Sequence, residues 1–467
     1  MNEKLNEFKK NIKGRTVALI GAGISNMTCI DLLLSYGAKI TVRDKNPDPT
    51  YTPDGEGGRV VAVKPILDLK GVDYRFGEDY LEELDEKILI KTPGIRFDVP
   101  QIAAAVRRGA ELTSEAELFC RLCPCKIFAV TGSDGKTTTT TLIYKMLSEE
   151  YSASDKKVWL GGNIGTPLFC EIENVKAGDI AVLELSSFQL QTMRFAPYCS
   201  VVTNITPNHL NWHIDMDEYV ESKSNIFKFQ EKGQRTVLNA ENAYTAKFAD
   251  EAACDVTLFS SKRALAKGIC LCGDEILYDG KKILERSDIR LVGVHNVENF
   301  MAAIAAVYGF VSQDTIKKIA NTFGGVRHRL EEVCTKNGVR FYNSSIDTTP
   351  SRTMAALSAF DKKVVLICGG SDKNIPTEPM LPVIKEKTKF AVLTGTTGEK
   401  LHRQLKEFGY PGDKMTYIRD FDTAVRFAAA NSESGDVVLL SPAAASFDSF
   451  RNFEVRGDRF CKIVKEL

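Results

Sequence analysis

Apolar and polar positions along this chain alternate between two rhythms. Short runs rich in β-branched residues, such as TVALI at 16–20, give way to stretches in which apolar residues recur every three or four positions, and the exchange repeats in three successive blocks. Continuous apolar runs predict strands buried on both faces, the longer spacing predicts amphipathic helices, and their alternation predicts parallel α/β sheets. In the first block a strand at 16–20 leads through the turn GAGIS into a helix at 26–36, then into a strand at 39–42 closed by Asp44. The second block carries strand runs at 126–130, 180–184, 200–204 and 235–238, and the third carries runs at 339–343, 364–368, 390–393 and 437–440. Domains at 1–112, 113–326 and 327–467 are expected.

Length and charge narrow the class. A chain of 467 residues exceeds what one core supports, so several domains of roughly 100–200 residues are required. Lys plus Arg and Asp plus Glu are equal at 61 each, so no global field selects nucleic acid or an anionic membrane as partner. The opening MNEKLNEFKKNIKGR lacks the apolar core of a signal peptide, and no stretch approaches the ~18 apolar residues of a membrane span. A cytoplasmic protein is expected, and its 12 scattered cysteines suit a reducing compartment. Cys120, Cys123 and Cys125 lie close together, but no second CxxC or paired His completes a four-ligand zinc set. Separate buried thiols are the expectation there.

The first turn carries a partial dinucleotide fingerprint. Gly21 and Gly23 allow a tight turn, but Asn26 stands where a third glycine would let the helix pack closely. A nucleotide diphosphate at the turn, with Asp44 or Lys45 toward a ribose or base, and a purely structural turn are the two readings.

The strongest signal is IFAVTGSDGKTTTT: a strand, a glycine-containing turn and a Lys-Thr-Thr helix start. Backbone N–H groups of such a turn surround phosphate oxygens, Lys136 suits the outer phosphates and the Thr137 hydroxyl suits Mg²⁺. Gly132 and Gly135 are separated by two residues rather than the usual four. Glu184 ends an apolar strand on the sheet edge where ligands of parallel α/β folds collect, as a Mg²⁺ ligand or an exposed strand-end acid. His209 and His213 follow the next strand, as a metal pair or as surface histidines. In GVHNVENFMAAIAA, Asn296 and Asn299 share one helix face and suit an adenine edge, with helix capping the alternative for Asn296.

TGSDGKTT, ELSSFQL, NITPNH, GVHNVEN, HRLE and LLSPAAASFDSFRNFEVRG stand in the order found in the Mur ligases, and the chain resembles that family over essentially its whole length. Within it the pattern is most similar to the branch that joins D-glutamate to UDP-N-acetylmuramoyl-L-alanine in peptidoglycan precursor synthesis. The resemblance implies three α/β domains: N-terminal Rossmann-like, central P-loop ATPase-like and C-terminal Rossmann-like. It implies ATP and Mg²⁺, a carboxylate activated as an acyl phosphate, the two named substrates and a monomer. By position, Gly132, Ser133, Asp134, Gly135, Lys136, Thr137 and Thr138 would bind ATP, with Asn296 and Asn299 beside the adenine and Arg329 at the γ-phosphate. Thr137, Glu184, His209 and a carbamoylated Lys223 would hold metal. Lys136, Lys223, His209 and Arg329 form the implied catalytic set. Ser25, Asn26, Asp44, Thr92, Gly94 and Asn163 correspond to the UDP-substrate end, and Thr348, Lys373, Ser446 and Phe453 to the amino acid.

The chain departs from the pattern at Asn208, Ser344 and Ile346, where the family often has Asp, an acidic residue and Lys. Asp347 is the neighbouring residue expected to compensate. A dinucleotide oxidoreductase would leave TGSDGKTT without a role. Folylpolyglutamate synthase, which shares the phosphate loop, is the alternative inside the superfamily, and ELSSFQL and SFDSFRNFEVRG count against it.

Overall fold

The computed structural model describes residues 2–53, 60–210, 212–372 and 375–467. The chain divides into two compact units: Met1–Ile289 with Val294–Asn321, and Arg290–Gly293 with Thr322–Leu467. The first unit carries two of the large sheets and the second carries the third, each α/β with mainly parallel strands.

The N-terminal sheet runs Asp73–Phe76, Lys39–Asp44, Thr16–Ile20, Ile88–Lys91, Glu111–Thr113, all parallel. Leaving out the two-residue ribbon of Thr50–Tyr51 and Val61–Ala62, the order is third, second, first, fourth, fifth along the chain, the Rossmann order, whose crevice opens between the first and fourth strands. Val17 to Ile20 are fully buried, as a strand covered on both faces requires. The helix expected at 26–36 is instead two pieces, Ile24–Met27 and Ile30–Ser35. Thr28 Oγ1 donates to the Ile24 carbonyl at 2.9 Å and Cys29 Sγ to the Ser25 carbonyl at 2.9 Å. Such back-bonding competes with the helical ladder at the break.

The central sheet has nine strands. Seven are parallel, in the order Ile269–Cys272, Asp255–Ser260, Arg235–Asn239, Cys199–Val202, Lys126–Thr131, Ile180–Glu184, Val158–Gly162. Glu275–Tyr278 and Lys281–Glu285 extend one edge antiparallel. The strand Lys126–Thr131 therefore lies inside the sheet, between the strands that end at Glu184 and Val202. Two helices that pack on each other cover the sheet: Lys136–Glu150 lies on the strands Lys126–Thr131, Ile180–Glu184 and Val158–Gly162, and Val294–Val307, whose residues 299–307 are all buried, lies on Cys199–Val202, Arg235–Asn239 and Asp255–Ser260. A helix apolar on every side belongs in a core. One continuous core joins both sheets of this unit, from Leu5 to Phe248. The helix Glu3–Ile12 enters it through Phe8, whose ring meets Tyr36 at 6.4 Å and Phe169 at 6.0 Å edge-on.

In the second unit the order is Glu331–Lys336, Val339–Asn343, Val437–Leu440, Val364–Gly369, Thr388–Thr394, Met415–Tyr417, parallel except for the first pair. Val364 to Gly369 are buried throughout. No helix among the described residues is long and apolar enough to cross a membrane.

Candidate active site

The phosphate loop, Gly132 to Gly135, joins the strand Lys126–Thr131 to the helix Lys136–Glu150. Its glycines are fixed by neighbours as well as by backbone angle. Gly132 has φ +146°, and a Cβ on it would lie 1.9 Å from Thr203 Oγ1; Gly135 has φ +80°, and a Cβ there would lie 2.2 Å from Asn299 Oδ1. The loop is pinned from the next strand end. Ser133 N donates to the Asn204 carbonyl and Asp134 N to Asn204 Oδ1, both at 2.9 Å, while Thr203 Oγ1 donates to the Asp134 carbonyl at 2.6 Å. Ser133 Oγ is committed inward, to Thr206 O at 3.0 Å and to the Tyr219 hydroxyl at 2.8 Å. Lys136 Nζ lies back across the loop, donating to Ser133 O at 2.8 Å, and Thr137 is half-buried beside buried Thr138. The positive end of a 15-residue helix, reached through a glycine turn, makes this an anion site.

Glu184, 1% exposed, ends the neighbouring strand. Its Oε1 accepts from Asn163 Nδ2 at 2.8 Å, while its buried Oε2 has no hydrogen-bond partner. An unsatisfied buried acceptor costs about 1–3 kcal/mol, more when charged, and a cation removes that cost. The donor set therefore fits Mg²⁺. Asn163, expected at the UDP end, is thus held on Glu184, by its side chain and by its N–H on the Glu184 carbonyl at 2.7 Å.

Lys223, near the end of the helix Met216–Ser224, is 2% exposed. Its Nζ donates to Gly132 O at 2.8 Å and to Thr131 Oγ1 at 3.4 Å. Burial first, then the charge of Lys136, pushes its pKa well below the usual lysine range, against weaker opposing pulls from Glu184 and Asp134. A neutral amine is the form that adds CO₂.

His209 is exposed, in the left-handed region at φ +57°, with its ring 4.9 Å from that of Phe188. His213 is buried, Nε2 against Ser187 Oγ at 2.9 Å and Nδ1 against Glu218 Oε2 at 3.3 Å, so both ring nitrogens are engaged in packing. Its neighbour Glu218 is bound by Arg96 and held at about 2, chiefly by that hydrogen bond. Among the described residues no group of three or more His, Cys, Asp or Glu side chains could hold a metal, the cysteines at 120–125 included.

Asn296 and Asn299 are both buried on the helix Val294–Val307. Asn299 Oδ1 accepts from Thr139 Oγ1 and its Nδ2 donates to Asn296 Oδ1, each at 3.3 Å. The structure therefore sets Asn299 against the phosphate loop, a role its sequence pattern did not suggest.

At the crevice of the N-terminal sheet, Asp44 Oδ2 accepts from Ala22 N at 2.7 Å and so holds the GAGIS turn. Asn26 is fully buried, and its Nδ2 reaches the carbonyls of Ile20, Gly21 and Ile90 at 3.0, 2.9 and 3.2 Å. It ties the two strands flanking the crevice and presents nothing to solvent. Ser25 and Thr92 are half-buried and Gly94 is exposed; Thr92 N donates to Ile20 O at 2.9 Å.

In the second unit, Arg329 is partly buried and its N–H donates to Val326 O. Thr348 N donates to Ile346 O at 2.8 Å; Ser446 is buried, and its carbonyl accepts from Phe450 N at 2.7 Å. Phe453 opens the last helix with its ring edge-on to His328 at 6.2 Å. Lys373 lies outside the described residues. Ser344 is buried, accepting from Leu330 N at 3.1 Å. Asp347, expected to serve the nucleotide, is buried with Oδ2 on Ser441 Oγ at 2.9 Å, and desolvation pushes it up to about 6. Arg456 of the SFDSFRNFEVRG run was not singled out by sequence. It is buried, with its guanidinium on Ser345 Oγ and O and on the carbonyls of Ala444 and Ala445. It therefore sets the loop that carries Ser446.

A phosphate-cradling turn beside a buried carboxylate with one open oxygen, at one edge of a parallel sheet, defines a nucleotide-dependent enzyme of the P-loop type. Residues 130–307 match the Mur ligase middle domain and residues 328–444 the Mur ligase glutamate ligase domain. UDP-N-acetylmuramoylalanine–D-glutamate ligases of Acetivibrio thermocellus and Ruminiclostridium cellulolyticum are 49% and 44% identical to it, each over 100% of both chains. Among solved structures, the UDP-N-acetylmuramate-alanine ligase MurC of Thermotoga maritima superimposes with TM-score 0.57 at 18% identity, over 97% of this chain and 99% of that one. Escherichia coli FolC, in complex with DHPP and ADP, does so with TM-score 0.54 at 16% identity, over 75% and 92%. The chain belongs to the Mur ligase family.

Proposed function

We propose that this chain joins D-glutamate to UDP-N-acetylmuramoyl-L-alanine, consuming ATP and releasing ADP and phosphate, as a cytoplasmic monomer supplying peptidoglycan precursors. The observation that carries the reading is full-length likeness, at 49% identity, to a protein named for that reaction. The shared fold with FolC is the observation behind the second reading, a folylpolyglutamate synthase.

Amide formation from a free carboxylate needs a leaving group, and the γ-phosphoryl group of ATP supplies one as an acyl phosphate, which the amine then attacks. Residues 132–138 would cradle the phosphates at the helix N-terminus, with Lys136 neutralising the charge that develops during transfer. Held by Thr137, Glu184, His209 and carbamoylated Lys223, Mg²⁺ supplies further neutralisation of phosphate charge when bound. Asn296 would stand on the adenine side, with Asn299 bracing the loop. Ser25, Asp44, Thr92 and Gly94 would receive the UDP end, with Asn26 behind them and Asn163 acting through Glu184. Arg329 is assigned to the γ-phosphate, and Thr348, Lys373, Ser446 and Phe453 to D-glutamate. This gives residues 1–112 the UDP substrate, 113–326 ATP and 327–467 the amino acid.

The test is ADP release with UDP-N-acetylmuramoyl-L-alanine against a panel of D-glutamate, L-glutamate, L-lysine, meso-diaminopimelate and dihydropteroate. Release that requires both the UDP substrate and D-glutamate is expected. Release with dihydropteroate, or without regard to the amino acid, would overturn the reading.

A further inference from the structure

Cys123 and Cys125 flank Pro124 in the short link between the helix Glu115–Leu122 and the strand Lys126–Thr131, away from every residue assigned above. Their sulfurs lie 3.3 Å apart. Cys123 is buried and Cys125 is partly exposed, so one sulfur of the pair meets solvent and the other stands behind it. Cys123 N–H still donates to Phe119 O at 2.8 Å, but Cys123 is extended at φ −61°, ψ 125°, and Pro124 has no N–H to give. A second pair with the same spacing, Cys270 and Cys272, has sulfurs 3.5 Å apart. It sits within a strand, where Cys270 is in register with Ser260 on one side and Leu277 on the other, and Cys272 with Glu275. That backbone cannot shift without breaking the sheet.

We propose that Cys123 and Cys125 form a reversible dithiol–disulfide site that exchanges with low-molecular-weight disulfides and closes across Pro124. The exposed Cys125 sulfur attacks the external disulfide; an S–S bond forms to it, one small thiol leaves, and that thiol takes up the proton from Cys125. Cys123 Sγ then attacks Cys125 Sγ, the mixed disulfide breaks, and a second small thiol leaves with the proton from Cys123. The protein dithiol loses two electrons and the external disulfide gains them. Proximity favours the second step: the two sulfurs start 3.3 Å apart, and closing to the ~2.05 Å bond asks for local movement about Pro124, which has no N–H to give.

The test uses the full reduced chain, equilibrated with graded ratios of glutathione disulfide to glutathione, quenched in acid with an alkylating agent, then weighed intact and mapped by peptide. Expected are the loss of two hydrogens and two alkylatable thiols, a Cys123–Cys125 link, and full reversal by a thiol reductant. Cys123→Ser should stop at the first step and hold one glutathionyl group on Cys125. A stable glutathionyl adduct on Cys125 of the unaltered chain, a link at Cys270–Cys272 instead, or no loss of thiols at the most oxidising ratio would each overturn the proposal.

Discussion

Asn299 holds its side-chain oxygen where a Cβ on Gly135 would have to stand, 2.2 Å away. The asparagine is itself buried, at the start of the stretch 299–307 that is buried throughout, so it cannot give way cheaply, and the φ of +80° at Gly135 is itself unfavourable for any L side chain. Gly135→Ala should therefore displace the turn and lower ATP-dependent turnover by ~10²-fold or more, since an ångström of misplacement can cost that much. ADP release by the folded variant checks it; near-normal release would detach the turn from the chemistry.

Glu184→Gln keeps the shape of the side chain and its contact with Asn163 but removes the charge. The Mg²⁺ concentration for half-maximal rate should rise at least ~10-fold, with little change in melting temperature. A Mg²⁺ titration of rate that superimposes on the unaltered protein would remove Glu184 from the metal site.

Lys223→Ala should be nearly inactive, and a short carboxylic acid should partly restore it by occupying the vacated space. Stripping CO₂ should slow the unaltered protein and bicarbonate should restore it, because an ammonium at that place would repel the metal that a carbamate helps to hold. Full activity of Lys223→Ala, unmoved by added carboxylate, would refute the carbamate and leave the ligase assignment standing.

Asp347 ties acidity to stability in the direction opposite to an ion-paired acid. Its pKa in the fold, about 6, lies above the ~3.9 of an unfolded aspartate. Its stabilising contribution is therefore complete below ~3.9 and is lost as pH rises through 6. Asp347→Asn should relieve a cost on the order of 3 kcal/mol at pH 7, less whatever its contacts with Ser344 and Ser441 lose, and should gain little at pH 4. Denaturant midpoints at the two pH values measure this; an equal effect at both would show that the carboxylate is not titrating in the fold.

Strands covered on both faces were legible from residue type. The apolar runs at 16–20, 180–184, 339–343 and 437–440 coincide with the strands Thr16–Ile20, Ile180–Glu184, Val339–Asn343 and Val437–Leu440. The edge of the central sheet was not, because Glu275–Tyr278 and Lys281–Glu285 carry charged residues on an open face and resemble loop. Lys136 and Glu184 could be singled out because the first follows a glycine turn and the second ends a buried strand, both within family motifs, whereas Lys223 was named only by the position the resemblance assigns it. What lay beyond the sequence was through-space pairing. Nothing near position 163 indicates that its amide lands on Glu184, and nothing near 204 indicates that Asn204 shapes the phosphate loop.

That pairing of Asn163 with Glu184 also bears on which ion the edge accepts. With Oε1 taken by the amide, the carboxylate offers a cation one oxygen instead of two. Calcium is often gripped by both oxygens of a carboxylate in a loose, many-membered shell, whereas magnesium takes single oxygens in a tight octahedron. At the proposed metal site the amide of Asn163 would then act as a filter, disfavouring the larger cation by limiting denticity, and a substitution at 163 would change ion preference while leaving the proposed metal ligands in place.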